Sequence, residues 1–306
     1  MENIVLEVRN LTKKFGNFTA VDNISFSLKE GEVLGLLGPN GAGKTSTIQM
    51  LLGVMEPASG EIFYFNKTFK QYREQILKNI NFSSGYISLP WLLTIEEILD
   101  VFARLYEVPD KKKRIQRLMA IFEIEDLLKK QFYQLSSGQK TTVLLVKAFI
   151  NYPKIILLDE PTASLDPDIA KKVREFLKKE REEFNVSMLF TSHNMPEVEE
   201  LCDRIIFINH GRIIAQGTPA EIAKQIKDTR VQLLVSKDTA KAVSFLKKNG
   251  LKIKQDNYYL TITIPEKNIA SLLTTLAKQN IVYEEISIEK PDLEDFFLSM
   301  TTKQHA

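Results

Sequence analysis

The sequence predicts an α/β fold with a largely parallel sheet, a helical lobe inserted into it, and a small α+β domain after it. Three observations carry this. A nearly continuous apolar run, EVLGLLG (32–38), enters the glycine-rich turn GPNGAGKT (38–45) and then a helical pattern. Later strands, IILLDE (155–160), VSMLFTS (186–192) and RIIFINHGRIIAQG (204–217), alternate with helical segments, as βαβ units do. Beyond Lys227 the order becomes strand, helix, strand, strand, helix, strand, which suggests a ferredoxin-like unit.

Taken in order, IVLEV (4–8) and NISFSL (23–28) make the opening β-rich. The run at 32–38 is apolar on both faces, as a strand covered on both sides should be. INFSSGYISLPWLLT (80–94) resembles the interior of neither a helix nor a strand. The helical lobe is expected at about 86–150. Its segment TIEEILDVFARLYEV opens on a capping box, Thr94 with Glu97 three residues on. KKKRIQRLMAIF and IEDLLKK continue the pattern, and the Lys-rich stretch 111–114 reads as a solvated helix start rather than a binding patch. In the tail, VQLLV, a helix over 238–248, LKIKQ, YLTITI, a helix over 267–279 and IVYEEISIE precede the short helix PDLEDFFLSM. The expected domains are 1–227 and 228–306.

The 306 residues suffice for more than one core, and 44% hydrophobic with 26% charged residues places the chain among ordinary globular proteins. A net charge of +2, from 41 basic and 39 acidic residues, gives no reason to expect a nucleic-acid partner. The single cysteine, Cys202, excludes an intramolecular disulfide and reads as a small buried hydrophobe. MENIVLEVRN lacks the basic-then-apolar layout of a signal peptide. No run approaches the ~20 apolar residues that span a bilayer, so a membrane role would be borrowed from a partner chain.

GPNGAGKT fits the phosphate-binding loop pattern, four residues between Gly38 and Gly43 and then Lys44 and Thr45. Gly38, Pro39, Asn40, Gly41, Ala42 and Gly43 would close backbone N–H groups around phosphate oxygens. Lys44 would reach the β- and γ-phosphates, the Thr45 hydroxyl would ligate Mg²⁺, and Ser46 completes the nucleotide-binding stretch. IILLDE would deliver Asp159 to the metal and place Glu160 where a carboxylate polarises an attacking water. The expected ligands are therefore ATP and Mg²⁺. LSSGQ (135–139) has two readings, an N-capping serine before a helix or an anion site facing a γ-phosphate.

At this point the sequence resembles the ATP-binding subunits of ABC transporters, whose signature is LSGGQ. Ser136, Gly138 and Gln139 match, and Ser137 stands where glycine is usual. The resemblance covers roughly residues 1–220. It implies that Asp166, in ASLDP, belongs to the D-loop and that His193, in LFTSHN, is the switch histidine meeting the γ-phosphate. Phe15, in LTKKFG, takes the aromatic position that stacks on adenine, although it could also be a core residue. Within 80–94 the resemblance puts Gly85 at the Q-loop position, where a glutamine contacts Mg²⁺; Ser83 or Ser84 could substitute with a hydroxyl. Tyr86, Leu89 and Trp91 would line a groove for a permease, unless Trp91 packs inside the lobe. PDLEDFFLSMT (291–301) resembles the ending of ATPases that serve ABC-2-type exporters.

The resemblance implies an ATPase subunit that powers a separate membrane permease, most simply an ABC-2-type exporter. It would pair with a second ATPase subunit, identical or homologous, on the cytoplasmic face of the membrane. Each nucleotide would lie between the phosphate loop of one protomer and LSSGQ of the other. The alternative is a nucleotide-gated binding subunit with little turnover, suggested by the missing Q-loop glutamine.

Overall fold

A computed structural model of the protein describes residues 3–85, 88–226 and 228–302. The chain divides into two compact units, residues 1–219 and 220–306. The break falls eight residues before the expected one. The last strand of the first unit ends at Gly217 and Pro219 opens a short helix.

The first unit carries two sheets. Strands β1 (Ile4–Phe15), β2 (Phe18–Lys29), β4 (Ser59–Tyr64) and β5 (Lys67–Thr68) form an antiparallel sheet in the order β2-β1-β4-β5. The second sheet contains β3 (Val33–Leu37), β6 (Ile80–Ser84), β7 (Ile155–Asp159), β8 (Ser187–Thr191), β9 (Arg204–Asn209) and β10 (Arg212–Gly217). Its order is β10-β9-β3-β8-β7-β6, parallel except for β10. Every residue of β3, β7 and β8 is buried, which is why these strands read as unbroken apolar runs. Leu34, Leu36, Leu157 and Leu189 join Leu6, Leu28 and Met50 in one core.

This order sets the site. Strands β3, β8 and β7 are neighbours, so the loops leaving their carboxyl ends lie side by side. Ligands of open α/β sheets bind at such ends.

Residues 80–84, which by sequence looked like neither strand nor helix, form β6. It pairs with β7 from Ile80 opposite Ile155 to Ser84 opposite Asp159. Its buried polar groups are matched rather than exposed. Asn81 Nδ2 donates to Asn151 Oδ1 at 2.8 Å, and Lys147 Nζ donates to the Phe82 carbonyl at 2.8 Å. The lobe follows, with helices Ile95–Leu105, Lys111–Ile121 and Ser137–Ala148. The Thr94–Glu97 capping box is present in full. Cys202 is buried, and burial pushes its thiol well above the usual range.

The second unit has one antiparallel sheet of β11 (Asp228–Leu234), β12 (Lys252–Asp256), β13 (Tyr259–Pro265) and β14 (Glu285–Glu289), in the order β12-β13-β11-β14. Val231, Leu233, Leu260 and Ile262 build its core with Leu246 and Leu276, from helices Thr239–Lys248 and Ile269–Lys278. In the final helix, Leu293–Thr302, Asp295 accepts from Arg230 Nη2 at 2.9 Å.

Candidate nucleotide site

The turn between β3 and helix Lys44–Leu51 needs its glycines for packing as well as for conformation. Gly43 has φ +106°, and a Cβ there would meet the Ala20 carbonyl of β2 at 2.5 Å. A Cβ on Gly38, at φ +150°, would meet the Ile208 carbonyl of β9 at 2.0 Å. The loop is thus clamped between two strands at its ends. Lys44 Nζ donates to the Gly38 carbonyl at 2.5 Å and the Pro39 carbonyl at 3.1 Å. Burial holds the Lys44 ammonium below its usual pKa, while Glu160 and Asp159 act the other way.

At the ends of β7 and β8, Thr191 fastens two acids. Its hydroxyl donates to Asp159 Oδ1 at 2.7 Å, and its carbonyl and hydroxyl oxygens accept from the Glu160 amide at 3.2 and 3.1 Å. These bonds hold Glu160 at φ +53°, uncommon for a side chain without a special role. Its Oε2 accepts from the His193 amide at 3.3 Å. Its Oε1 lies 3.2 Å from His193 Nε2 without the alignment of a hydrogen bond. Burial raises the Glu160 carboxyl above the ordinary carboxylate range, and His193 partly opposes this.

One pocket collects these groups. Phe15, residues 40–46, Asp159, Glu160 and His193 line it, and Gly38 and Pro39 supply the carbonyls that hold Lys44. Phe15 is exposed, which removes its core reading. Phe18 and Ala20 also line the pocket, and the sequence reading missed them. A signal existed, because FGNF is an aromatic pair around a two-residue turn. Phe15 and Phe18 are direct cross-strand partners, so both rings share a face of the hairpin.

The remaining predicted residues lie outside that pocket. Ser136 caps helix Ser137–Ala148, its Oγ accepting from the Gln139 amide at 3.2 Å while Gln139 Oε1 accepts from the Ser136 amide. A Cβ on Gly138 would meet the Ser164 carbonyl at 3.5 Å, and Asp166 stands at the N-cap position of helix Pro167–Phe184 without a side-chain capping bond. Ser137 lines a separate groove with Gly85, Trp91 and Tyr133. Trp91 is 66% exposed, so it is not packed inside the lobe. Leu89, expected to line the docking groove, is buried and faces the core instead. Tyr86 lies outside the described residues. Backbone bonds from Tyr133 to Trp91 and from Phe132 to Leu93 strap this loop to the lobe.

A phosphate loop, two acids and a histidine gathered at the carboxyl ends of β3, β7 and β8 define a nucleoside triphosphatase of the phosphate-loop type. Comparison with known proteins gives the family. The ABC transporter family model matches residues 21–163. The linearmycin resistance ATP-binding protein LnrL of Bacillus subtilis is 31% identical over 97% of this chain and 98% of its own length. The bacitracin transport ATP-binding protein BcrA of Bacillus licheniformis is 29% identical over 97% of each. The spermidine/putrescine import ATP-binding protein PotA of Spiroplasma citri is 34% identical, over 72% of this chain and 64% of its own. Among solved structures, a dimeric ATP-binding cassette in a post-hydrolysis state with ADP and Pi aligns with TM-score 0.65 and 27% identity, covering 70% of this chain and 98% of that one. The chain belongs to the ABC transporter family, as an ATP-binding subunit and an ATPase.

Proposed function

We propose that the protein drives an ABC-2-type exporter through a separate membrane permease, working as a pair of ATPase subunits. The observation that carries the pairing is the separation of two half-sites. Phosphate loop, acids and His193 share one pocket, while Ser137 of LSSGQ opens into another groove. A second subunit would bring its LSSGQ to the first pocket. The relatives named for linearmycin resistance and bacitracin transport run the length of this chain, including the second unit. That favours export, as does the PDLEDFFLSMT ending. No helix among the described residues is long and apolar enough to cross a membrane, which suits a peripheral subunit on the cytoplasmic face. The strand order of the second unit supports a ferredoxin-like label for it.

In this reading Phe15 stacks on adenine and Lys44 holds the terminal phosphates. The hydroxyl of Thr45 and the carboxylate of Asp159 are hard oxygen donors in the same pocket, which fits Mg²⁺; that ion prefers such donors with water and phosphate oxygens. When bound, it would neutralise charge on the phosphates. Glu160 accepts a proton from the attacking water, and His193 sets the position of that carboxylate and meets the γ-phosphate. Trp91 and the groove beside it receive the permease.

Replacing Glu160 by Gln tests the assignment. The variant should bind ATP, accumulate as a closed dimer on size-exclusion chromatography with Mg-ATP, and lose turnover by ~10²-fold or more. Lys44→Ala should weaken nucleotide binding itself. Undiminished hydrolysis by the Glu160→Gln protein would sink the assignment.

A further inference from the structure

A third acid is bonded to the loops of the nucleotide pocket without lining it. Glu197 lies in helix Met195–Leu201, just after His193, and is 2% exposed. A buried carboxylate is costly unless its oxygens are matched by donors. Only one of them is. Oε2 accepts from the Thr162 hydroxyl at 2.7 Å and from the Ser192 hydroxyl at 2.9 Å. Oε1 is buried with no hydrogen-bond partner.

The donors explain why such a group is kept. Thr162 lies on the loop that runs from Glu160 to Asp166, and Ser192 directly precedes His193. The two loops leave different strands, β7 and β8, and each carries a group of the pocket. Thr191 joins the two strands, and Glu197 joins the loops that follow them. The backbone that carries the carboxylate is itself fixed. The Asn194 side chain accepts from the Glu197 amide at 3.3 Å, and the Ser192 hydroxyl oxygen accepts from the Asn194 amide at 3.1 Å. Two separate sets of bonds therefore bear on the geometry of Glu160 against His193.

We infer that Glu197 is a positioning residue for hydrolysis: by accepting from Thr162 and Ser192 it locks the loop of Glu160 to the loop of His193. This rests on the roles assigned above to Glu160 and His193. The prediction is a loss in the chemical step without a loss in nucleotide binding, because no atom of Glu197 reaches the pocket lining.

The test uses the full chain and measures kcat, KM and nucleotide Kd for Glu197→Ala, Glu197→Gln, Thr162→Val and Glu160→Gln. Glu197→Ala should lower kcat roughly tenfold or more with KM and Kd unchanged, since small misplacements of reacting groups carry costs of that size. Glu197→Gln retains an oxygen acceptor for both hydroxyls and should recover most of the rate. Thr162→Val should lower kcat in the parent and do nothing further in the Glu197→Ala background, the non-additivity of one shared interaction. If Glu160→Gln still hydrolyses ATP, the underlying assignment fails. If Glu160→Gln is inactive while Glu197→Ala keeps kcat, the positioning role alone fails. Should Glu197→Ala not fold, Thr162→Val decides, and an unchanged kcat overturns the inference. A rate loss in Glu197→Gln as large as in Glu197→Ala also overturns it.

Discussion

Ser84 Oγ lies 3.4 Å from Asp159 Oδ2, across the last register pair of β6 and β7. The strand that ends just before Gly85 therefore ends against the carboxylate proposed to meet Mg²⁺. Gly85 follows at once, and a Cβ there would meet nothing within 4 Å. A side chain can therefore start from this position without a clash at its Cβ. Gly85→Gln should change the Mg²⁺ dependence or basal turnover and barely change nucleotide affinity, which the phosphate loop and Phe15 supply. A Mg²⁺ titration of ATPase rate beside equilibrium ATP binding checks this. Unaltered titration and turnover would remove Gly85 from the metal-sensing position.

The acid limb of turnover should lie above that of an ordinary carboxylate. Burial raises the Glu160 pKa, and a base must be ionised to accept a proton, so activity should fall with pH earlier than an unshifted Glu would dictate. His193→Ala removes the side-chain influence that opposes the rise while the residue-193 backbone amide still donates to Glu160, so the limb should move higher still. A pH–kcat profile of both proteins measures it. A limb at ordinary Glu pH in the parent would contradict the burial argument.

The exposed Trp91 gives a sharp separation of roles. Its indole Nε1–H donates to Ser88 Oγ at 2.7 Å, but most of the ring faces outward. Trp91→Ala should leave the melting temperature and basal ATPase nearly unchanged. A core tryptophan would instead cost ~3–5 kcal/mol of stability. If the permease docks here, pull-down should weaken more than tenfold, since interface aromatic anchors are commonly worth ~2 kcal/mol or more. A collapse in thermal stability would refute the docking reading.

Much of the site was legible because its chemistry is local. GPNGAGKT, IILLDE and LFTSHN each place their functional groups within a few residues of a buried strand, and apolar runs reveal such strands. Residues 80–84 were not legible, because Asn81, Ser83 and Ser84 weaken the strand pattern. Asn81 is accommodated through Asn151 and Lys147, which lie seventy and sixty-six residues away in sequence. SGEIFY, now β4, escaped for a related reason, since its first three residues are exposed. Leu89 and Trp91, two residues apart, were given one role but face opposite environments, which only the fold of the loop decides. Glu197 had no sequence signal of its own. Its meaning comes from Thr162 and Ser192 meeting it from different strands.

The nucleotide site should survive loss of the second unit. Every residue of the pocket precedes Pro219, and each unit has its own apolar core. A chain ending at 219 should fold and bind ATP with affinity close to that of the whole protein. Isothermal titration with a nonhydrolysable nucleotide decides. A folded truncation that no longer binds would show the second unit to be part of the site.

Lys147 gives a stability prediction with a definite sign. It lies in helix Ser137–Ala148, nearly buried, with its ammonium 5.6 Å from the Phe102 ring centroid and donating to the Phe82 carbonyl. Burial pushes its pKa down to about 8, whereas in the unfolded chain a lysine titrates near ~10.4. Below about pH 8 both states hold the proton, and the folded state carries the full cost of a buried charge. Between the two values the unfolded chain keeps its proton and the folded protein releases it. Unfolding then takes up a proton, so stability rises with pH across that window by a few kcal/mol at most, at ~1.36 kcal/mol per pKa unit. Lys147→Met keeps an unbranched side chain of similar reach and cannot titrate. It leaves the Phe82 carbonyl without its donor, a loss of ~1–3 kcal/mol that does not depend on pH. Trp91 is the chain's one tryptophan, so its fluorescence in urea reports on the first unit. Parent and variant should diverge as pH rises from about 8 toward about 10, the parent gaining. Parallel profiles would mean that Lys147 keeps its proton in the folded protein, and the burial argument would fail.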